Sequence, residues 1–444
     1  MVINLTITKE IYRESIKCVK KAYLMGNTNY KENINDEIIE NYNDFKNLVI
    51  EFLKEKNIKT NIKLKFENCI ATIDILEETN NGYNLYEIKS SRHITENYLI
   101  DISYQYYVAS KNMNINKVYL VIPKEYTRIN ELEPEKLINI IDYTDNLLDV
   151  KINNITLNNN KKINENCKEK SLYCPFFEEC TKDLDKYNIF IYSGIQFKDK
   201  IKYYNMGIRN KKDIINYPIK NMHREELESK VVKTKKIKEF LDNIKYPLYY
   251  LDFETISYLV PKYKNHKSNE KIVIQYSLHI KNEDGNLIHK EVLENCSTDP
   301  RYKIAKKLTE DIPENANIMV YHKAFEKGII EGLAKNFPEF KKHLMSFKYI
   351  DLEDVFKRKD YYLEEFMGSS SIKYVLPAMF PDDEELNYKK FKYIHNGLEA
   401  ASYLRKEKYD DNIRQNLLDY CFLDTLAMVK IHEKLIKEVE TYID

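Results

Sequence analysis

Glycine and proline are scarce in this chain, 9 and 11 of 444 residues, and there are only seven cysteines. That excludes a collagen-like chain and a disulfide-stapled mini-protein. Net charge is missing too: 70 Lys and Arg balance 70 Asp and Glu. A simple electrostatic coat for nucleic acid carries a strong positive excess, so neutrality argues against one. It leaves room for acidic sites set in basic surfaces. No apolar run reaches the roughly 18 residues of a membrane span. The opening Met-Val-Ile-Asn-Leu-Thr-Ile-Thr-Lys-Glu lacks the basic and uninterrupted apolar regions of a signal peptide, so a cytoplasmic protein is expected. What is present is 43% hydrophobic residues, enough for ordinary buried cores, in a length suggesting two or three domains. Thirty-seven tyrosines accompany heavy use of Lys, Asn and Ile. AT-rich coding explains that bias, so the tyrosine count alone does not indicate base stacking.

Periodicity divides the chain. Residues 1–60 carry helical spacing, including Ile11, Ser15, Cys18 and Ala22, then Ile38, Tyr42, Phe45 and Val49. From about residue 61 the period falls to two, through Ile62, Leu64 and Phe66 and then Ile70, Thr72 and Asp74. Asn80-Asn81-Gly82 predicts the turn of a hairpin whose second strand is Tyr83–Ile88. A helix fits Glu96–Ser110 and a buried strand Lys117–Ile122. Lys151–Asn166 is Asn-rich and reads as a loop. Lys230–Lys245 holds six lysines, expected on a solvated linker helix or a phosphate-facing surface. A second α/β unit starts at Leu248, with strands at Val273–His279, His289–Leu293 and Asn317–Tyr321 and a terminal helix Ile413–Thr441. The expected organisation is α/β throughout: a first module to residue 185, a helical connector over 186–245, and a second domain from 246 to 444.

The hairpin brings chemistry together. Glu87 and Lys89 lie on one strand face, and Asp74 lies opposite on the partner strand. Two carboxylates are hard oxygen ligands suited to Mg²⁺, and the ammonium can stabilise developing phosphate charge. Asp74…Glu87-Ile88-Lys89 resembles the PD-(D/E)XK nuclease motif, and Gln105 in the next helix resembles the glutamine of RecB-type nucleases. The resemblance implies a restriction-endonuclease-like fold, with Glu37 or Glu40 as an added acid on an early helix. Cys18 before these strands, with Cys167, Cys174 and Cys180 after them, resembles the iron–sulfur nucleases of the AddB and CRISPR-adaptation type. That implies a [4Fe–4S] cluster, with tetrahedral Zn²⁺ the alternative. Cys69, Cys296 and Cys421 read as packing residues.

The second unit has its own set. An apolar strand ends in Asp252-Phe253-Glu254, with both carboxylates on one face. Tyr420 and Asp424 are four residues apart on one helical face, and Glu326 lies between these motifs in Tyr321-His322-Lys323-Ala324-Phe325-Glu326. The order resembles the DEDDy branch of DnaQ-like 3′–5′ exonucleases, whose fold is RNase H-like. It implies two Mg²⁺ or Mn²⁺ ions held by Asp252, Glu254, Glu326 and Asp424, a water oriented by Tyr420, and a terminal nucleotide near Thr255. Such relatives mostly carry Asp where Glu326 stands and often Asn where His322 stands, and Asp351 is the substitute ligand. Gly368–Lys373 resembles the loop and lysine before a buried helix in such enzymes, or else is a helix cap at Ser370 or Ser371. As a whole the chain resembles a bacterial family joining a RecB/AddB-like nuclease module to a DnaQ-like exonuclease. The expected function is hydrolysis of nucleic acid, DNA rather than RNA, with no membrane partner. The alternatives are one half reduced to nucleic-acid binding, or an iron–sulfur structural or redox-sensing protein.

Overall fold

The computed structural model describes residues 6–28, 30, 35–152, 174–215, 217 and 223–441. The chain is mixed α/β and divides into two compact units. The first comprises Met1–Ile34, Ile38–Leu184 and Tyr258–Glu270; the second comprises Asn35–Glu37, Asp185–Ser257 and Lys271–Asp444. The stretch expected as a separate connector therefore groups with the second unit. Within it, Phe197–Asn205, Lys211–Ile214 and Thr234–Leu241 are helices, and Lys230–Val232 is a short strand paired with Tyr361–Leu363. The lysine-rich run is thus part strand. Among the described residues no helix is long and apolar enough to cross a membrane.

In the first unit, strand Ile58–Phe66 pairs antiparallel with Cys69–Thr79, which forms the expected hairpin with Gly82–Ile88. Gly82 has φ +119°, and a Cβ there would fall 2.5 Å from the Asn114 carbonyl oxygen, so this turn requires glycine. Helix Glu96–Ser110 then crosses to strand Ile115–Pro123, which joins the hairpin in parallel, and Ile138–Asp142 closes the sheet. A parallel pair needs such a crossover. Both faces are covered. Ile73, Leu85, Val118 and Leu120 pack with Ile100, Tyr104 and Val108 of the crossover helix. Ile75, Tyr86, Ile88 and Val121 pack with Phe45 and Val49 of helix Asp36–Phe52.

In the second unit the five strands run, in spatial order, Leu287–Leu293, Lys271–Lys281, Leu248–Ser257, Asn317–Val320 and Lys348–Asp351. The first three are antiparallel neighbours; the last two are parallel to the Leu248–Ser257 strand and to each other. Period two assigns the faces. Tyr249, Leu251, Phe253, Tyr276 and Leu278 share a core with Ile304, Leu308, Ile330 and Leu333. The opposite face receives the 31-residue helix Asp411–Thr441. Gln275 Nε2 donates to the Leu417 carbonyl at 2.7 Å, Thr425 Oγ1 meets Ser277 Oγ at 2.7 Å and His279 Nδ1 at 2.8 Å, and Tyr250 meets His432 at 2.6 Å. The alternate residues of Gln275–His279 thus fix the register of the helix that carries Tyr420 and Asp424.

Candidate acidic site of the second unit and charged cluster of the first

Asp252 and Glu254 project from the middle strand, and Asp424 from the terminal helix. One carboxylate oxygen of each lies within 4.8 Å of the others. Glu326 sits in the first turn of helix Lys323–Asn336, is 2% exposed, and its Oε2 has no hydrogen-bond partner. An orphaned buried acceptor beside three converging acids is costly without a cation. Burial, and then the neighbouring carboxylates, push Asp252, Glu254 and Glu326 well above the usual carboxylate range. Asp424 is pushed to about 6, chiefly by burial, against the pull of Tyr388, Lys373 and Tyr420. Lys373 supplies positive charge felt by Asp252, Glu254 and Asp424. Its ammonium also lies 5.9 Å from the centroid of the Tyr420 ring.

The surroundings explain several sequence features. Asp351 does not join the carboxylates: its two oxygens accept the backbone N–H groups of His322 and Lys323, each at 3.0 Å. It therefore caps the helix carrying Glu326, which corrects its expected role as substitute ligand. His322 has φ +76° at that cap, and its Nδ1 lies 3.1 Å from Glu353. Gly368 has φ +74°, and a Cβ would come within 2.0 Å of the Ile191 carbonyl oxygen. Ser370 Oγ donates to Glu353, while Ser371 occupies the N-cap of Ile372–Met379 without a side-chain bond. The loop thus places Lys373 by backbone geometry rather than by a serine cap. Thr255 is 8% exposed.

Two site neighbours were not foreseen. Cys421, expected only to pack, is buried but also lies 3.7 Å from Asp252 Oδ2. Tyr388 donates to Asp424 Oδ1 at 2.5 Å. Neither carries a spacing signal, because Tyr388 comes from a short turn outside every motif and Cys421 is masked by the Tyr420–Asp424 pattern.

The first unit brings its expected residues together in a different electrostatic setting. Glu87 is fully buried and receives Gln105 Nε2 at 2.5 Å, Lys89 at 2.8 Å and Lys9 at 3.1 Å. Burial opposes its charge, but Lys89 and Lys9 outweigh it and lower Glu87 to about 2. Asp74 accepts Lys46 and the Tyr42 hydroxyl, each at 2.6 Å, and the Ile88 N–H at 2.9 Å. Burial and then Glu87 still raise its pKa. Asp101 binds Lys89 at 2.6 Å and Arg13 at 3.0 Å. Of the two acids expected from the early helix, Glu37 belongs to the second unit, where it accepts the backbone N–H and hydroxyl of Ser257 at 2.6 and 2.9 Å. Lys9, Arg13, Lys46 and Asp101 were missed; they come from three helices whose packing no local pattern announces.

Cys18, at the junction of helices Lys9–Lys17 and Val19–Asn27, and Cys174 and Cys180 are partly exposed and not in disulfides. Cys167 lies outside the described residues. Among the described residues, the acidic triad is the group whose ligand atoms all converge within 4.8 Å. Cys69 and Cys296 are buried.

The family described as "Domain of unknown function (DUF2779)" matches residues 249–371. That stretch contains Asp252, Glu254 and Glu326 and stops before Tyr420 and Asp424. No curated protein matches the chain.

Proposed function

We propose that the second unit is a metal-dependent nuclease that removes nucleotides from a 3′ end, on an RNase H-like sheet of the DnaQ type. The observation that carries this reading is the convergence of Asp252, Glu254 and Asp424, with the orphaned Glu326 oxygen beside them. Hard carboxylate oxygens in this number fit Mg²⁺ or Mn²⁺, and their raised pKa values are the sign of charge awaiting a cation. When bound, two such ions activate a water and stabilise the leaving 3′ oxygen. The chain's own groups do the rest: Tyr420 orients the water, Lys373 offsets phosphate charge, and Thr255 borders the terminal nucleotide. The strand order, with antiparallel neighbours on one side of the Leu248–Ser257 strand and parallel ones on the other, supports the fold assignment.

For the first unit the reading is a PD-(D/E)XK-type module on Asp74, Glu87, Lys89 and Gln105, holding a [4Fe–4S] cluster or Zn²⁺ through Cys18, Cys167, Cys174 and Cys180. A second reading, that this unit grips nucleic acid without cutting it, is favoured by Lys46 and Lys9 already occupying Asp74 and Glu87.

Digestion of single- and double-stranded DNA and RNA with Mg²⁺ or Mn²⁺ tests the proposal. Asp252→Ala and Asp424→Ala are each expected to cut 3′–5′ digestion by about 10³-fold or more. Intact digestion in both variants overturns the assignment. Asp74→Ala and Lys89→Ala test the first unit separately. Absorption near 400 nm in anaerobically purified protein identifies the cluster, and a colourless zinc protein excludes it.

A further inference from the structure

Asp424 is held from a side that the Tyr-x₃-Asp pattern does not describe. Residues 380–396 link helices Ile372–Met379 and Gly397–Leu404 and contain the short turn Tyr388–Lys390. Asn387 caps that turn, its Oδ1 accepting the Lys389 N–H at 2.9 Å. The turn delivers the Tyr388 hydroxyl to Asp424 Oδ1 at 2.5 Å, and its ring packs 5.7 Å from that of Tyr420. Tyr420, four residues before Asp424 on the same helix, also helps hold the Asp424 charge. The same Tyr388 lines a cavity of about 380 Å³ with Lys373, Phe380, Lys389 and His395.

Resting on the metal-site reading above, we propose that Tyr388 is a positioning residue: its hydroxyl pins Asp424 so that the carboxylate enters the metal site in one orientation. The chemistry favours this role. A phenol is a neutral donor, so it fixes the carboxylate without cancelling the charge a divalent ion needs. A lysine in the same place would fix and neutralise it together. With one oxygen restrained, the carboxylate is held from turning away from Asp252 and Glu254. Groups that orient a ligating carboxylate in this way typically carry 10–100-fold in metal affinity. Tyr388 also stands between Asp424 and the cavity, so anything entering from that side meets the residue that sets the ligand.

The test is a Mn²⁺ titration of the full chain, following the loss of the free-ion signal by electron paramagnetic resonance. Tyr388→Phe removes one oxygen and is expected to weaken Mn²⁺ binding about tenfold, with an unchanged melting temperature in EDTA. Tyr374→Phe, an exposed tyrosine on the neighbouring helix, is expected to bind as wild type. Wild-type affinity in Tyr388→Phe overturns the inference while leaving the metal site standing. No Mn²⁺ binding by the wild type, or undiminished binding by Asp424→Asn, overturns the metal-site reading and the inference with it. If the phenylalanine variant melts early in EDTA, Asn387→Ala decides: it loosens the turn but keeps the hydroxyl, so a few-fold loss of affinity is expected and none overturns the role.

Discussion

The acidic clusters of the two units neutralise their carboxylates in opposite ways. In the first, Asp74, Glu87 and Asp101 are met by Lys9, Arg13, Lys46 and Lys89 at 2.6–3.1 Å. In the second, Asp252, Glu254 and Asp424 converge, with the neutral phenol of Tyr388 on Asp424, the ammonium of Lys373 acting on all three, and the Glu326 carboxylate raised by burial and then by their charges. The difference is visible in Glu87, driven down to about 2, against Asp424, driven up to about 6. Buried charge must be paired, and a protein can bring its own cation or leave the place for one from solution. The first unit is closed electrostatically by its own side chains. The second is left incomplete, as the proposed metal site requires.

Removing a carboxylate from each unit breaks this comparison most severely. Glu87→Ala leaves Lys9 without its carboxylate and Lys89 with Asp101 alone, with an expected loss of about 3–5 kcal/mol in EDTA. Glu254→Gln in the second unit removes repulsion instead, so the metal-free protein is expected to melt at the same temperature or higher. Equal losses from both changes in a thermal scan would show that the acids of the second unit are paired after all.

Metal addition gives the next largest contrast. A divalent ion that binds the folded state at 100 times its dissociation constant stabilises by about 2.7 kcal/mol. Mg²⁺ or Mn²⁺ is therefore expected to raise the melting temperature of the wild type and of Asp74→Asn, and to leave Asp424→Asn unmoved. A rise that vanishes in Asp74→Asn places the ion in the first unit.

The sequence announced these two regions unequally. Asp252, Glu254 and Asp424 were legible because each sits at a fixed period on one element, and the strand and terminal helix that carry them are long and strongly patterned. The stretch Gln275–His279 was readable as a motif but not in its role, since docking a helix 140 residues away leaves no local trace. Asp351 shows the opposite failure: an acid after a strand reads as a ligand, and only the backbone of the next helix reveals a cap. In the first unit the hairpin that carries Asp74 and Glu87 was legible from its turn and its period of two. The cations that set their chemistry were not, because Lys9 and Lys46 arrive from helices 78 and 28 residues away along the chain. Charge compensation is a tertiary property, and the sequence shows charges without their partners.

The smallest effect, and the one that sharpens the contrast, is pH dependence in EDTA. Asp424 has a folded pKa of about 6, above its ordinary 3.8. Between those values the folded state holds more proton than the unfolded state, so stability falls as pH rises through that window. Glu87 runs the other way. Its folded pKa of about 2 lies below the ordinary 4.5, so its contribution is complete above 4.5 and is lost as pH falls toward 2. Raising pH from 4 to 6 therefore penalises the wild type relative to Asp424→Asn, by on the order of 1–2 kcal/mol. Lowering it from 4.5 toward 2 erases the advantage of the wild type over Glu87→Gln. Melting curves of the three proteins across pH 3–7 read both slopes. With saturating Mn²⁺ the Asp424 slope should reverse, because protons then compete with the ion for the folded carboxylate, whereas the Glu87 slope should not change. A shared sign for the two slopes in EDTA would mean that both carboxylate sets are closed by protein cations and that neither waits for a metal.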